Sequence, residues 1–98
     1  MVTTVIWRRK AILRVEEIAL YLESEISLKS AENFIKSIYD TIDKVKAHPS
    51  RGRKVMTQKA IQFINIDKNK QLFYRVSGKE LIILDVFDVR QHPDKRPF

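Results

Sequence analysis

The chain has 98 residues, 44% of them hydrophobic, a formal net charge of +7 and no cysteine. A chain of this length forms one domain, so we expect residues 1–98 to fold as a single unit, and its hydrophobic fraction argues against disorder. Without cysteine, a disulfide framework, a thiolate zinc site and a cysteine nucleophile are excluded. With only two histidines, we predict neither a metal site nor a cofactor.

The excess of 19 basic over 12 acidic residues favours an anionic partner, such as nucleic acid, an acidic protein or a membrane surface. The alternative is a soluble protein that is basic without using its charge. The first ten residues contain only a short apolar run, with the charges on the wrong side for a signal peptide. No segment reaches the length that crosses a membrane. We therefore predict a cytoplasmic protein with no membrane partner.

The first half of the chain predicts one strand followed by two helices. Val2–Trp7 is rich in β-branched residues and predicts a short strand, inner or nearly inner in its sheet. A helix with one apolar stripe follows, in which apolar residues recur at steps of three and four: Ala11, Val15, Ile18, Ala19, Leu22 and Ile26. Ser27 and Ser30 are candidate caps of a second helix, which runs to about Ala47 and pairs with the first as an antiparallel hairpin.

The first predicted helix begins with a basic cluster, Arg8, Arg9, Lys10 and Arg14. The dipole of a helix favours acidic residues at this end and basic residues at the other. The cluster therefore either forms a solvated face or has a role outside the helix itself.

The second half of the chain predicts three strands joined by short turns. A basic turn over residues 50–54 precedes a strand over Ile61–Ile66. Asp67–Lys70 then turns into a strand over Gln71–Val76, and the glycine-containing turn Ser77–Glu80 leads into the last strand. After Val89 the chain contains proline, and we expect it to be irregular.

The register of the last hairpin decides which side chains share a face. A two-residue loop of Gly78 and Lys79 fixes three cross-strand pairs: Val76 with Leu81, Arg75 with Ile82, and Phe73 with Leu84. Alternation along the strands then places Phe87 on the face of Leu72 and Tyr74, and places Val86, Asp88 and Arg90 on the face of Phe73 and Arg75.

These elements predict an α+β fold of order β-α-α-β-β-β, with the helix hairpin packed on one face of a mostly antiparallel four-stranded sheet. The other face keeps apolar residues that the chain itself does not cover. Exposed apolar area on that scale marks an interaction surface.

The order of elements, together with three segments, resembles the RelE/ParE superfamily of bacterial toxins from toxin–antitoxin systems. The segments are Arg51-Gly52-Arg53 after the helix pair, the strand Phe73-Tyr74-Arg75-Val76, and the run from Ile82 to Gln91. The resemblance implies a small cytoplasmic toxin that slows or kills its host cell. It also implies a co-expressed antitoxin that wraps the toxin and neutralises it.

The resemblance leaves two targets open. RelE-like toxins cut messenger RNA in the ribosomal decoding site, whereas ParE-like toxins act on DNA gyrase and cleave nothing. RNA cleavage without a metal needs a base, an acid and cations that stabilise the phosphorane. The residues that match these roles are Arg53, Arg75, Arg90 and His92 as catalytic candidates, with Arg51 and Lys54 as RNA or phosphate contacts. We lean to messenger RNA cleavage on this basic distribution.

The chain also departs from the RNase members, several of which carry histidine or tyrosine near the end of the last strand. Asp88 stands there, and no tyrosine follows Tyr74. Asp88 can instead form a structural ion-pair network with Arg75 and Arg90, and His92 can be an ordinary solvated histidine. A third function, a nucleic-acid-binding module without toxicity, also stays open.

Overall fold

The protein was analysed as a computed structural model that describes residues 2–58, 60–91 and 96–98. Its helices and strands are β1 (Thr4–Trp7), α1 (Arg9–Glu25), α2 (Leu28–Ala47), β2 (Arg53–Lys54), β3 (Gln62–Asp67), β4 (Lys70–Ser77) and β5 (Glu80–Asp88). A short 3-10 turn, Pro49–Arg51, joins α2 to β2. The α+β class and the element order are confirmed. The sheet has five strands rather than four, because Arg53–Lys54 in the basic turn pairs with β3.

The strand order in the sheet is β1-β5-β4-β3-β2. β1 is parallel to β5, and the other neighbours are antiparallel. The prediction that the first strand is inner or nearly inner is wrong, since among the described strands β1 pairs with β5 alone and forms one edge of the sheet. Its residues Thr4 and Ile6 are accordingly exposed.

The helix hairpin covers one face of the sheet, which we call the helix face. Ala11, Ile18 and Leu22 of α1 are buried there, with Phe34 and Ile38 of α2. The Ser27 hydroxyl caps α2 by accepting a hydrogen bond from the Ser30 backbone N–H at 3.1 Å, as one of the two predicted caps. Ile26 was expected in the apolar stripe but is 55% exposed, because α1 ends at Glu25. Neither helix in the described residues is long and apolar enough to cross a membrane.

A β-bulge changes the predicted register in the last hairpin. Gly78, at a φ of +59°, forms the expected two-residue turn, and the pairs Val76–Leu81 and Arg75–Ile82 are confirmed. The prediction that Phe73 faces Leu84 is wrong, since Phe73 pairs with Asp85. One extra residue on β5 reverses, for every residue after it, the face of the sheet on which the side chain lies. Val86 therefore packs in the helix-face core, and Phe87 packs with Phe73 on the opposite face.

This opposite face, which we call the second face, is covered in part by the chain itself. Val55 and Ile61, on either side of the loop between β2 and β3, pack there with Phe73 and Phe87. Phe98 from the end of the chain joins the same cluster. As a result, Phe73 is 0% exposed and Phe87 is 1% exposed. The expectation that the chain leaves this face uncovered is wrong.

The bulge also brings a buried carboxylate to the basic start of α1. Asp85 is 1% exposed, and its carboxylate lies 3.5 Å from Lys10 Nζ and 3.7 Å from Arg14 Nε. Its Oδ1 atom also accepts a hydrogen bond from the Val86 backbone N–H at 2.8 Å. Part of the basic cluster that opposes the helix dipole thus neutralises a carboxylate of the sheet.

Candidate functional site

The basic turn is held between the end of α2 and the edge of the sheet. In the 3-10 turn, the Arg51 backbone N–H donates to the His48 carbonyl at 3.0 Å. Two residues later, Arg53 pairs with Phe63 and Lys54 pairs with Gln62 across the β2–β3 ladder. Arg51, Arg53 and Lys54 are all exposed. The turn therefore presents three cations on a backbone that is fixed at both ends.

Two cavities adjoin at this turn and share Arg53 and Phe63. One has a volume of about 350 Å³ and is also lined by Lys54, Arg96, Phe98 and residues 55–57. The other has a volume of about 260 Å³ and is also lined by Arg51, Ile64 and Asn65. We call these two cavities together the basic cleft.

Aromatic rings form one wall of the basic cleft. The Phe63 and Phe73 ring centroids are 5.6 Å apart, and those of Phe73 and Phe98 are 5.4 Å apart. The Arg96 guanidinium lies 5.0 Å from the Phe63 centroid, a cation–π contact, and donates to Gln71 Oε1 at 3.3 Å. Cations and phenyl rings side by side suit an anionic partner that also carries flat or apolar groups.

The cations of the basic cleft are not neutralised within the described residues. The ion pairs found there join Lys10, Arg14, Lys70 and Arg90 to aspartates. No described carboxylate forms an ion pair with the four cations of the cleft: Arg51, Arg53, Lys54 and Arg96. These four exposed cations give the cleft a local excess of positive charge.

Tyr74 links the basic turn to the core. Its side chain is buried on the helix face, and its hydroxyl reaches the turn at the sheet edge. The hydroxyl accepts a hydrogen bond from the Gly52 backbone N–H at 2.9 Å. It also lies 2.9 Å from the Pro49 carbonyl oxygen and 2.7 Å from Gln62 Oε1. Burial raises the pKa of Tyr74 above its ordinary value, against a smaller lowering by the Gly52 N–H.

This raised pKa predicts a loss of stability in alkali. The ordinary tyrosine pKa is about 10, and the folded-state pKa of Tyr74 lies higher, so the folded chain holds this proton more tightly than the unfolded chain does. Its contribution to the free energy of unfolding is fully present below pH about 10 and falls as the pH rises toward the folded-state pKa. Urea unfolding across this range should show a steeper loss in the wild type than in Tyr74→Phe. Equal pH slopes in the two proteins would contradict the expectation.

The structure brings together three of the predicted site residues and separates others. Arg51, Arg53 and Lys54 line the basic cleft. Arg75 lies on the second face, by its register two residues from Phe73, but lines neither cavity of the cleft. His92 lies outside the described residues.

Arg90 does not share a face with Arg75, because the bulge reverses the alternation along β5, and Arg90 lines a cavity on the helix side together with Phe34 and Lys70. There Asp88 pairs across the sheet with Lys70, whose Nζ lies 5.6 Å from the Phe34 ring centroid. Arg90 Nε lies 3.7 Å from Asp88 Oδ1, which also accepts from the Arg90 backbone N–H at 2.9 Å. The predicted shared face is therefore wrong. The alternative ion pair is present for Asp88 and Arg90, without Arg75.

Sequence reasoning missed Phe63, Arg96 and Phe98 as parts of the cleft. Phe63 was visible only as one apolar residue of a predicted strand. No pattern in the sequence relates the end of the chain to the edge formed by β2 and β3. Arg96 and Phe98 were therefore not predicted as site residues. No group of three or more histidines, cysteines or carboxylates in the described ranges could hold a metal ion.

The fold and the basic cleft define a small, basic α+β protein of the RelE/ParE type. A model of the family described as the ParE toxin of the type II toxin–antitoxin system parDE matches residues 5–93. The chain therefore belongs to the ParE toxin family, and the resemblance to the RelE/ParE superfamily is confirmed. A cognate antitoxin is the partner that membership of this family implies. Among curated proteins, a search found no match.

Several solved structures share the fold. The chromosomal ParDE toxin–antitoxin system from P. aeruginosa matches with a TM-score of 0.74 at 18% identity, covering 88% of this chain and 95% of that chain. The YoeB/ParE toxin from Agrobacterium tumefaciens matches with a TM-score of 0.65 at 15% identity, covering 88% and 98%. The YoeB dimer from Staphylococcus aureus matches with a TM-score of 0.63 at 12% identity, covering 87% and 94%. At these identities the similarity shows the fold alone.

Proposed function

We propose that the chain is a growth-inhibiting toxin that binds its target through the basic cleft and cleaves no bond itself, as ParE-like toxins act on DNA gyrase. The observation that carries this proposal is the lining of the cleft. Four cations without described carboxylate partners line the cleft together with the rings of Phe63 and Phe98. These groups supply electrostatic attraction and contact area, which is what a binding surface needs.

No carboxylate or imidazole side chain, the usual base for a 2′-hydroxyl, is among the described residues that line the cleft. Cleavage needs a base for the 2′-hydroxyl and an acid for the leaving oxygen. The lining side chains are guanidinium, ammonium, phenyl, amide, hydroxyl and apolar groups. The nearby Tyr74 hydroxyl is buried behind the turn, and its raised pKa keeps it protonated. This chemistry favours binding over catalysis.

Messenger RNA cleavage in the ribosome is the second candidate function. The exposed cations Arg51, Arg53 and Lys54 have the charge and geometry that bind phosphates, and arginine binds phosphate oxygens in a bidentate manner. Arg75 lies on the second face beside the aromatic cluster and could stabilise a phosphorane. In this mechanism His92, outside the described residues, would supply the proton-transfer group.

The cognate antitoxin is the partner that would restrain the toxin. We propose that it contributes carboxylates to the basic cleft, because the four cations there have no described carboxylate of their own. Such pairing would neutralise the charge of the cleft and would also prevent the target from binding there.

Two reactions with the purified chain test the proposal. The first measures DNA supercoiling by gyrase, and the second measures messenger RNA integrity in a reconstituted translation reaction, with cut sites mapped by primer extension. We expect inhibited supercoiling, intact message, and reversal by the cognate antitoxin. Discrete ribosome-dependent cuts within codons, with normal supercoiling, would overturn the proposal in favour of the second candidate. Harmless expression of the folded chain would overturn both.

A further inference from the structure

We propose that Tyr74 is the positioning residue of the basic cleft: its hydroxyl, anchored in the core, fixes the backbone of residues 49–52 and thereby aims Arg51 and Arg53. This inference rests on the proposed function, because it assigns Tyr74 a role in presenting the cleft to its target. Tyr74 itself does not line either cavity of the cleft. Its action is therefore indirect.

The Tyr74 hydroxyl forms hydrogen bonds with the backbone on both sides of Arg51 in the sequence. A phenol has one hydrogen to donate and two lone pairs that accept. The Gly52 N–H, 2.9 Å away, occupies one lone pair, and the Pro49 carbonyl, also 2.9 Å away, is positioned to receive the hydrogen. Gln62 Oε1, 2.7 Å away, is a second acceptor within reach of the same hydroxyl hydrogen. The hydroxyl thus binds one backbone group before Arg51 and one after it.

The anchor of these bonds is rigid. Tyr74 lies on β4, which is flanked by β3 and β5 inside the sheet, and the whole residue is 0% exposed. The turn itself is at the surface, with Ser50, Arg51 and Arg53 exposed. A close-packed core holds a ring in one rotamer, so the hydroxyl is a fixed point against which the turn is set.

Gly52 supplies independent support, because its backbone lies against the tyrosine. A Cβ atom at this position would lie 2.9 Å from Tyr74 Cε1 and 2.9 Å from the Phe63 carbonyl oxygen, and closer still to the Tyr74 hydroxyl. Carbon atoms do not approach other heavy atoms this closely without displacement. The conformation of Gly52 is extended, with a φ of −71°, so close packing rather than backbone geometry requires glycine here. The backbone of Gly52 is therefore packed so closely against Tyr74 and the Phe63 carbonyl that no side chain fits between them.

Tyr74→Phe tests the inference because it keeps the ring and removes only the hydroxyl. We expect the fold to persist, since the ring still fills its place in the core. We expect amide hydrogen exchange at Gly52 to become about tenfold faster or more, because this N–H loses its acceptor. The concentration of toxin that gives half-maximal target inhibition should rise about tenfold, a change in affinity expected for contacts with misaligned arginines.

Two control variants separate positioning from stability. Tyr39→Phe removes a hydroxyl from a tyrosine that is 60% exposed on α2. It should change neither Gly52 exchange nor the concentration of toxin that gives half-maximal inhibition. Ile38→Val removes a methylene from the core at a residue that is 1% exposed, and it should lower the unfolding temperature without changing Gly52 exchange or inhibition. As a second test, Gly52→Ala should displace the turn from the opposite side and reproduce the loss of inhibition with Tyr74 intact.

The outcomes distinguish this inference from the proposed function. Unchanged Gly52 exchange in Tyr74→Phe overturns the inference whatever the target is. Faster exchange with full inhibition, or an inhibition loss no larger than that of Ile38→Val, overturns it as well. If the wild type inhibits neither gyrase nor translation, the proposed function fails. In that case two comparisons of Tyr74→Phe with the wild type decide the inference. One is the rate of amide exchange at Gly52, and the other is the affinity of the cleft for a short single-stranded oligonucleotide, which should fall if the inference holds.

Discussion

Replacing Arg53 with alanine is expected to abolish toxicity while leaving the protein folded. Arg53 lines both cavities of the basic cleft and forms no ion pair with a described carboxylate. Its side chain is exposed, so its removal should change the free energy of unfolding by less than about 0.5 kcal/mol. Hydrogen bonds to charged groups contribute about 1.5–3 kcal/mol, which corresponds to a loss of target affinity of roughly tenfold to a hundredfold.

The measurement is growth arrest after induction of each variant, together with the unfolding temperature and antitoxin affinity of the purified protein. Lys29→Ala, an exposed cation on α2, removes the same charge at a position that lines no described cavity of the cleft and should stay toxic. Arg53→Lys keeps the charge but loses the planar fork, so an intermediate result would show that bidentate contacts matter. Full toxicity of Arg53→Ala at equal expression would remove Arg53 from the site.

Replacing Asp85 with alanine is expected to cause a large loss of stability. The substitution leaves Arg14, whose side chain is only 24% exposed, without its carboxylate, and leaves the Val86 N–H without its acceptor. Removing one partner of a buried ion pair is strongly destabilising. Because Lys10 is 62% exposed and readily resolvated, we expect a decrease in the free energy of unfolding of about 3 kcal/mol, below the upper range for fully buried pairs.

Urea unfolding of the wild type and Asp85→Ala measures this effect directly. Asp43→Ala, at an exposed position on α2, provides the control and should have almost no effect. Asp85→Asn keeps the shape and the acceptor for Val86, so its loss should be smaller than that of alanine. A stability change below about 1 kcal/mol for Asp85→Ala would mean that the ion pairs to α1 are replaced by water at little cost.

The element order was predictable because each element carries its own periodicity. The α1 stripe at steps of three and four, the Ser27 cap and the Gly78 turn are local signals, and the structure confirms each. β2 was missed because two residues cannot show a period. Its strand character comes from its pairing with β3.

The bulge was not predicted, because the register was taken from the turn and from strict alternation along the strands, which contain no signal for an extra residue. The irregularity between Phe73 and Tyr74 accompanies the contact of Asp85 with Lys10 and Arg14 on α1, and nothing in residues 80–88 announces that contact. One missed residue then placed Phe87 and Arg90 on the wrong faces, since side chains alternate with a period of two. Of the candidate site, the sequence therefore predicted the turn with Arg51 and Arg53, where glycine and charge are adjacent, but not its aromatic wall.

The position of β5 between β1 and β4 has a consequence during synthesis. β5 pairs with β1 on one side and with β4 on the other, although β1 is made more than 70 residues earlier. Because β5 joins β1 to β4 and contributes Leu81, Ile83 and Val86 to the core under the helices, neither the sheet nor that core can be completed without it. A nascent chain that ends before residue 80 therefore lacks the strand that joins β1 to β4.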